Sequence, residues 1–212
     1  MKNSQLAELA RQGFKDRNFE VVLRCVEEAL SVQDVEYVHH PLGFLHTNIF
    51  SSGALNLRLH FWKKELMEGG SAITPYHDHI WRLSSCVLFG SIVNYKLEVR
   101  PDLQGDHTME YVNQSSSVDA VETYGTQESF SVAEKEVVSA GEFYFLPPRV
   151  FHYSALDSFV SAITLVLSEV EVDGSPRTLM PIGSTPHAPK RQFVDDSKKV
   201  TYQILSILAG LA

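Results

Sequence analysis

Cysteine is nearly absent from this chain. The only two, Cys25 and Cys86, are too few for a disulfide framework. That usage predicts a reducing, cytoplasmic setting and two small packing residues. Basic runs are also missing. The densest are the pairs Lys63-Lys64, Lys190-Arg191 and Lys198-Lys199, set against a formal net charge of −8. A nucleic-acid partner is therefore not expected. No apolar stretch approaches the ~20 residues that a membrane-spanning helix needs. Met1 to Arg11 alternates polar and apolar residues where a signal peptide would carry an apolar core. No membrane association is expected either. Repeats and low-complexity tracts are lacking. With 212 residues, 44% of them hydrophobic and 21% charged, the chain suits one folded domain with a full core.

The hydrophobic period divides the chain into three parts. Leu6, Leu9, Ala10 and Phe14 fit one face of a helix, Asp16 to Asn18 breaks it, and Phe19, Val22, Leu23, Val26 and Leu30 resume it with Asn18 as N-cap. Residues 1–35 are thus expected to form N-terminal helices. From Pro41 the period falls to two. Leu55, Leu57, Leu59 and Phe61 alternate with Asn56, Arg58, His60 and Trp62, and further strands are expected at Cys86 to Phe89, Ile92 to Val99, Phe130 to Val138, Glu142 to Leu146 and Phe159 to Leu167. Glu65 to Ser71, with Gly69-Gly70, reads as a turn, and Gln104 to Gln127, with Ser115-Ser116-Ser117, as a polar stretch with short β-like pieces. Many short strands between Gly/Pro turns predict a mainly all-β sandwich or barrel over 41–170. Residues 171–212 read as a wrapping loop, Gly174 to Pro189, followed by a terminal helix over Ser197 to Leu211 with Ser197 as its cap.

The strongest chemical signal is Tyr76-His77-Asp78-His79. Residues i and i+2 of an extended segment share a face, and two imidazoles on one face can share a metal ion. Asp78 then points to the opposite side. A second signal is Gly141-Glu142-Phe143-Tyr144-Phe145-Leu146-Pro147-Pro148-Arg149-Val150-Phe151-His152, a strand and turn that end in another histidine.

These two segments resemble the paired motifs of the cupin superfamily, G-(X)5-H-X-H-(X)3-4-E-(X)6-G and G-(X)5-P-X-G-(X)2-H-(X)3-N. His77, His79 and Gly90 fall in register with the first, and Gly141, Pro147 and His152 with the second. The resemblance implies a cupin-type jelly-roll barrel that binds one divalent metal through His77, His79 and His152, and it implies a homodimer. The chain departs from the pattern in several places. Gly70 lies one residue too far from His77, Leu83 or Ser84 stands at the acidic ligand position, Arg149 replaces a glycine and Leu156 an asparagine. In layout the chain is most similar to the cysteine dioxygenase-like thiol dioxygenases, through Asn56-Leu57-Arg58-Leu59-His60-Phe61-Trp62 followed by His77-Asp78-His79. It lacks their Ser-x-His-x-Tyr arrangement, since Ser161-Ala162-Ile163-Thr164-Leu165 keeps only the serine, and no arginine stands near Thr47-Asn48.

Three histidines without a carboxylate suit Fe(II), and equally Zn, Ni or Mn. Fe(II)-dependent dioxygenation of a small organic acid or specialised metabolite is the favoured expectation. Lyase, isomerase or rearrangement chemistry on the same metal site is the alternative, and small-molecule binding without catalysis a third. Arg58, His60 and Trp62 share one face of their strand. If the leucines on the other face pack on the helices, Arg58 faces the pocket and can clamp an anion, with His60 beside it. If the leucines fill the barrel, the Arg/His/Trp face is solvated. Trp81 and Trp62 are candidate walls for substrate, and Tyr144 a candidate proton donor if its face lines the pocket. His39-His40, His46, His107 and His187 are read as ordinary solvated or packing histidines.

Overall fold

The computed structural model describes residues 3–53, 55–68, 70, 72–114, 119–157, 160–185 and 192–210. Gly69, Ser71, Ser115 to Ser117, Phe159, His187, Pro189 and Leu211, which figure in the sequence reading, lie outside the described residues.

Two amphipathic helices open the chain, α1 (Asn3–Lys15) and α2 (Phe19–Val32). The break between them is enforced at Asn18, whose side chain accepts the Val21 N–H at 3.1 Å, an N-cap worth about 1 kcal/mol. Leu6, Ala10 and Phe14 of α1 and Val22, Cys25, Val26 and Ala29 of α2 are buried together with Leu57, Leu59 and Phe61. The leucine face of the strand at 55–63 therefore packs outward on the helices. Its alternate residues, Arg58, His60 and Trp62, turn into the barrel. The sequence left two orientations open, and the presence of helices to cover the leucines selects this one.

The strands are β1 (Val38–His40), β2 (Phe44–Ser52), β3 (Leu55–Lys63), β4 (Trp81–Phe89), β5 (Ser91–Pro101), β6 (His107–Gln114), β7 (Asp119–Ser139), β8 (Phe143–Leu146), β9 (His152–Leu156), β10 (Ser161–Val170), β11 (Arg177–Pro181) and β12 (Gln192–Phe193). They form a seven-stranded sheet in the order β12-β1-β2-β3-β10-β4-β8 and a five-stranded sheet in the order β11-β6-β7-β5-β9. β10 inserts between β3 and β4, antiparallel to both, and β9 returns beside β5. Side chains from both sheets meet inside, including Trp62, Val87, Tyr144 and Val166 from one and Ile92 and Val138 from the other. This is the expected mainly all-β, cupin-type jelly-roll barrel, with the expected helices before and after it. The last helix, α4 (Ser197–Ala209), buries Ile204 and Leu208 against the outer layer. Among the described residues no helix is long and apolar enough to cross a membrane.

Several local expectations are corrected. Residues Lys64–Glu68 form a short helix, α3, where a turn was read. The strand expected at Cys86 starts at Trp81, because β10 pairs with it from Trp81 and β8 from Leu83. The polar stretch after Gln104 is a long hairpin, β6 with β7, held by backbone pairing. The wrapping loop contains β11, which pairs with β6. Asp196, not Ser197, caps α4 by accepting the Lys199 N–H at 2.9 Å, while the Ser197 hydroxyl accepts the Tyr37 N–H.

Gly90 makes the β4–β5 corner possible. Its φ is +74°, and a Cβ there would lie 2.4 Å from the Ser161 carbonyl oxygen and 3.1 Å from the Ala162 Cα. Both the conformation and the space exclude a side chain. Gly90→Ala is expected to lower unfolding free energy by about 3 kcal/mol, read as a fall in denaturant midpoint at unchanged m-value. A midpoint within experimental error of the parent would refute this account of the corner.

Candidate metal centre

His77 and His79 lie on the extended segment that leads into β4. It is sewn into the molecule on both edges. On one side His77 and the first residue of β9, His152, exchange both backbone hydrogen bonds, at 3.2 and 2.9 Å. On the other side the Asp78 N–H donates to Arg177 O at 2.9 Å and the Leu179 N–H to Tyr76 O at 3.0 Å. The segment makes only isolated bridges, at His77, so the two histidines precede β4 and are not within a strand. The extended backbone still sends positions 77 and 79 to the same side.

The three imidazoles converge there. Ring centroids are 4.7 Å apart for His77–His79, 4.5 Å for His77–His152 and 5.0 Å for His79–His152. Their ligating nitrogens all lie within 4.8 Å of one another, with no carboxylate in the group. The donor set is prepared for a cation. The Nδ1–H of His77 donates to Pro75 O at 2.7 Å and that of His152 to Val150 O at 3.1 Å. A carbonyl oxygen can only accept, so each Nε2 carries the free lone pair that a metal requires. Burial lowers the pKa of all three imidazoles, and their mutual repulsion depresses His79 and His152 further, His152 to about 3. Neutral imidazoles need lose no proton to bind a metal. The residues present therefore fit one divalent ion.

The triad lies between two cavities. An outer one of about 180 Å³ is walled by Leu42, Ile73, Trp81, Val112, Pro176 and Met180 and reaches His77, His79 and Arg58. An inner one of about 70 Å³ lies in the barrel and is lined by Arg58, His60, Trp62, Trp81, Tyr144, Ser154 and the three histidines. Arg58 thus borders both, its Nε donating to Asn48 Oδ1 at 3.1 Å. Trp81 stacks on His79 at 4.6 Å between centroids. The Trp62 indole N–H donates to the Thr164 hydroxyl at 3.2 Å. Burial drives the His60 pKa well below 6.5, with Arg58 and two neighbouring histidines adding to the effect. Its Nε2 has no hydrogen-bond partner among the described residues. Burial also pushes the Tyr144 phenol up to about 12, so it keeps its proton. Cys25 and Cys86 are buried thiols raised to about 11 and about 12, as packing residues should be.

Asp78 is 0% exposed and turned away from the triad. Its carboxylate is held by Arg177, whose backbone N–H and Nε donate at 2.6 and 2.7 Å. The sequence alone assigns Arg177 nothing and reads His40 as an ordinary solvated or packing histidine. His40 is in β1, stacks on Phe44 at 4.2 Å and lines both cavities. Alternation gave no signal for Arg177, because its partner Asp78 is 99 positions away. Arg149 at a motif glycine was the one visible clue.

No family model matches the chain, and no curated protein matches it by sequence. Solved structures similar to part of it include the polyketide cyclase RemF from Streptomyces resistomycificus, at 16% identity over 73% of this chain and 83% of that one, TM-score 0.40. A cupin superfamily protein from Desulfitobacterium hafniense is similar at 9% identity over 60% and 78% of the two chains, TM-score 0.35. Fe(II) HppE is similar at 11% identity over 59% of this chain, the match spanning 49% of that protein, TM-score 0.34. The fold and the site together define a cupin-type barrel with a three-histidine group able to hold a divalent metal.

Proposed function

We propose that this chain is a metal-dependent enzyme that oxygenates a small organic acid. The observation that carries the reading is the neutral three-histidine group facing a mainly apolar cavity with Arg58 at its border. Fe(II) held by His77, His79 and His152 would supply O2 activation and two or three open positions for substrate. The rest is the work of the chain. Arg58 presents a planar, permanently charged fork to the substrate's anionic group. Trp81 and Trp62 wall the apolar body and exclude water. Tyr144 keeps its proton at neutral pH and donates a hydrogen bond from its hydroxyl. His60, held neutral, offers its unpartnered Nε2 as a hydrogen-bonding group.

That same unpartnered Nε2 favours a second reading, in which Zn, Ni or Mn on the triad acts as the Lewis acid of a lyase or isomerase and His60 hydrogen-bonds the substrate. The two separate in one experiment. Protein reconstituted anaerobically with Fe(II) and offered a panel of small carboxylic acids should consume O2 in step with substrate loss. Turnover under strict anaerobiosis would replace the first reading by the second. Arg58→Met should raise KM about 100-fold with a smaller change in kcat, because a charge-assisted bidentate contact in a partly desolvated site contributes about 2–3 kcal/mol. An unchanged KM would remove Arg58 from the substrate's path.

A further inference from the structure

Arg149 has the backbone of a glycine. Its φ is +66°, a conformation costly for a side-chain-bearing residue, at the place where the cupin motif carries glycine. The side chain makes three contacts that a glycine would lose. Its Nη1 donates to Ser175 O at 2.7 Å and its Nη2 to Asp173 O at 2.8 Å. Nη1 also lies 3.8 Å from Asp78 Oδ1. The neighbouring loop makes room for it: Gly174 has φ +102°, and a Cβ there would lie 3.0 Å from Nη2. The Arg149 backbone N–H meanwhile donates to His79 O at 2.8 Å.

Asp78 stands between two of the imidazole-bearing residues and shares its carboxylate with Arg177, whose Nη2 is 2.6 Å from Oδ2. The Arg177 guanidinium lies 5.0 Å from the Phe151 ring centre, next to His152. One buried carboxylate and two guanidiniums thus join three stretches of chain: 77–79, 149–152 and 173–178. These stretches hold all three histidines and one wall of the outer cavity. A buried carboxylate is tolerated only when paired; Arg177 makes the close pairing, and Arg149 ties the 173–175 stretch to the same place.

We propose that Asp78, Arg149 and Arg177 are positioning residues, a latch that aims the three imidazoles and fixes the 173–178 cavity wall by the same contacts. The inference rests on the metal reading of the triad and adds to it. Loss of groups that orient metal ligands costs about 10–100-fold in affinity.

The test uses the full chain with zinc and cobalt(II), comparing wild type, Arg149→Gly, Arg149→Lys and Asp78→Asn. Affinity is read against a competing chelator, ligand geometry from the cobalt visible spectrum, and the wall from amide hydrogen exchange over 173–178. Glycine suits the backbone at 149, so Arg149→Gly should fold with a thermal midpoint close to wild type. Its zinc affinity should nevertheless fall about tenfold, and amides 173–178 should exchange faster. Arg149→Lys keeps the charge but cannot span both carbonyls, and should fall between. Asp78→Asn should lose 10–100-fold and shift the cobalt spectrum. Wild-type affinity, spectrum and exchange in Arg149→Gly would overturn the latch. So would an Asp78→Asn protein that melts lower yet binds cobalt unchanged. If wild type binds neither metal, the metal reading is the one that fails, and the exchange of 173–178 in Arg149→Gly still decides the latch.

Discussion

His79→Ala is expected to abolish metal binding while leaving the barrel folded. Structural zinc sites release about 10–16 kcal/mol over four ligands, so one imidazole is worth roughly 3–4 kcal/mol, or about 10²–10³ in affinity. His79 contributes a ring to the triad and a stack on Trp81. Its backbone contact, accepting the Arg149 N–H, survives truncation. The loss should therefore fall on the metal and not on the fold. Metal per chain after dialysis, by elemental analysis, should drop from about one to near zero, with the far-ultraviolet circular dichroism unchanged. His107→Ala is the matched control. That ring packs on Tyr76 and Phe130 outside the triad, and its removal should leave stoichiometry intact. A His79→Ala protein that retains metal at parental affinity would dismantle the site.

The second large effect is acid lability of the metal-free protein. His60, His77, His79 and His152 all have folded pKa values lowered, chiefly by burial. In the unfolded chain each returns to about 6.5. Below that pH the unfolded state binds more protons than the folded one, so stability rises with pH in this window and is lost as pH falls through it. Above 6.5 the four contribute no slope. Each group held neutral costs about 1.4 kcal/mol per pH unit below 6.5, so several such groups together remove a large part of a typical domain's stability as the pH falls. Thermal midpoints of the metal-free protein should drop steeply below pH 6.5, and added zinc should hold them up until the metal itself is displaced. His79→Ala, which removes one of the four, should flatten the slope by about a quarter. A midpoint independent of pH from 7 to 5.5 would show that these imidazoles are not held neutral by the fold.

Much of the barrel could be read from local pattern because burial on one face leaves a period of two. Leu57, Leu59 and Phe61 announced β3, and Leu6, Ala10 and Phe14 announced α1. The parts that were misread are those whose partners are distant. β6 is a strand because β7 and β11 satisfy its backbone groups, not because its own residues alternate. β11 sits in a Pro/Gly-rich stretch and exists through pairing with β6 and with the 76–78 segment. The three-histidine group was legible for a different reason: residue chemistry at His77, His79 and His152 survives without knowledge of register.

By itself the sequence determined that three imidazoles had to be accounted for, that β3 had two unlike faces and that helices flank a β domain. Each follows from a spacing or a period carried within a few residues. The tertiary structure alone decided which face of β3 looks inward, because alternation defines two sides and only the packing of α1, α2 and α4 says which one is already covered. It also decided that Asp78 is a buried partner of Arg177 across 99 positions and that Arg149 holds a glycine's backbone. A hydrogen bond between residues so far apart leaves no trace in the local chain, since its free energy exists only once both ends have been brought together.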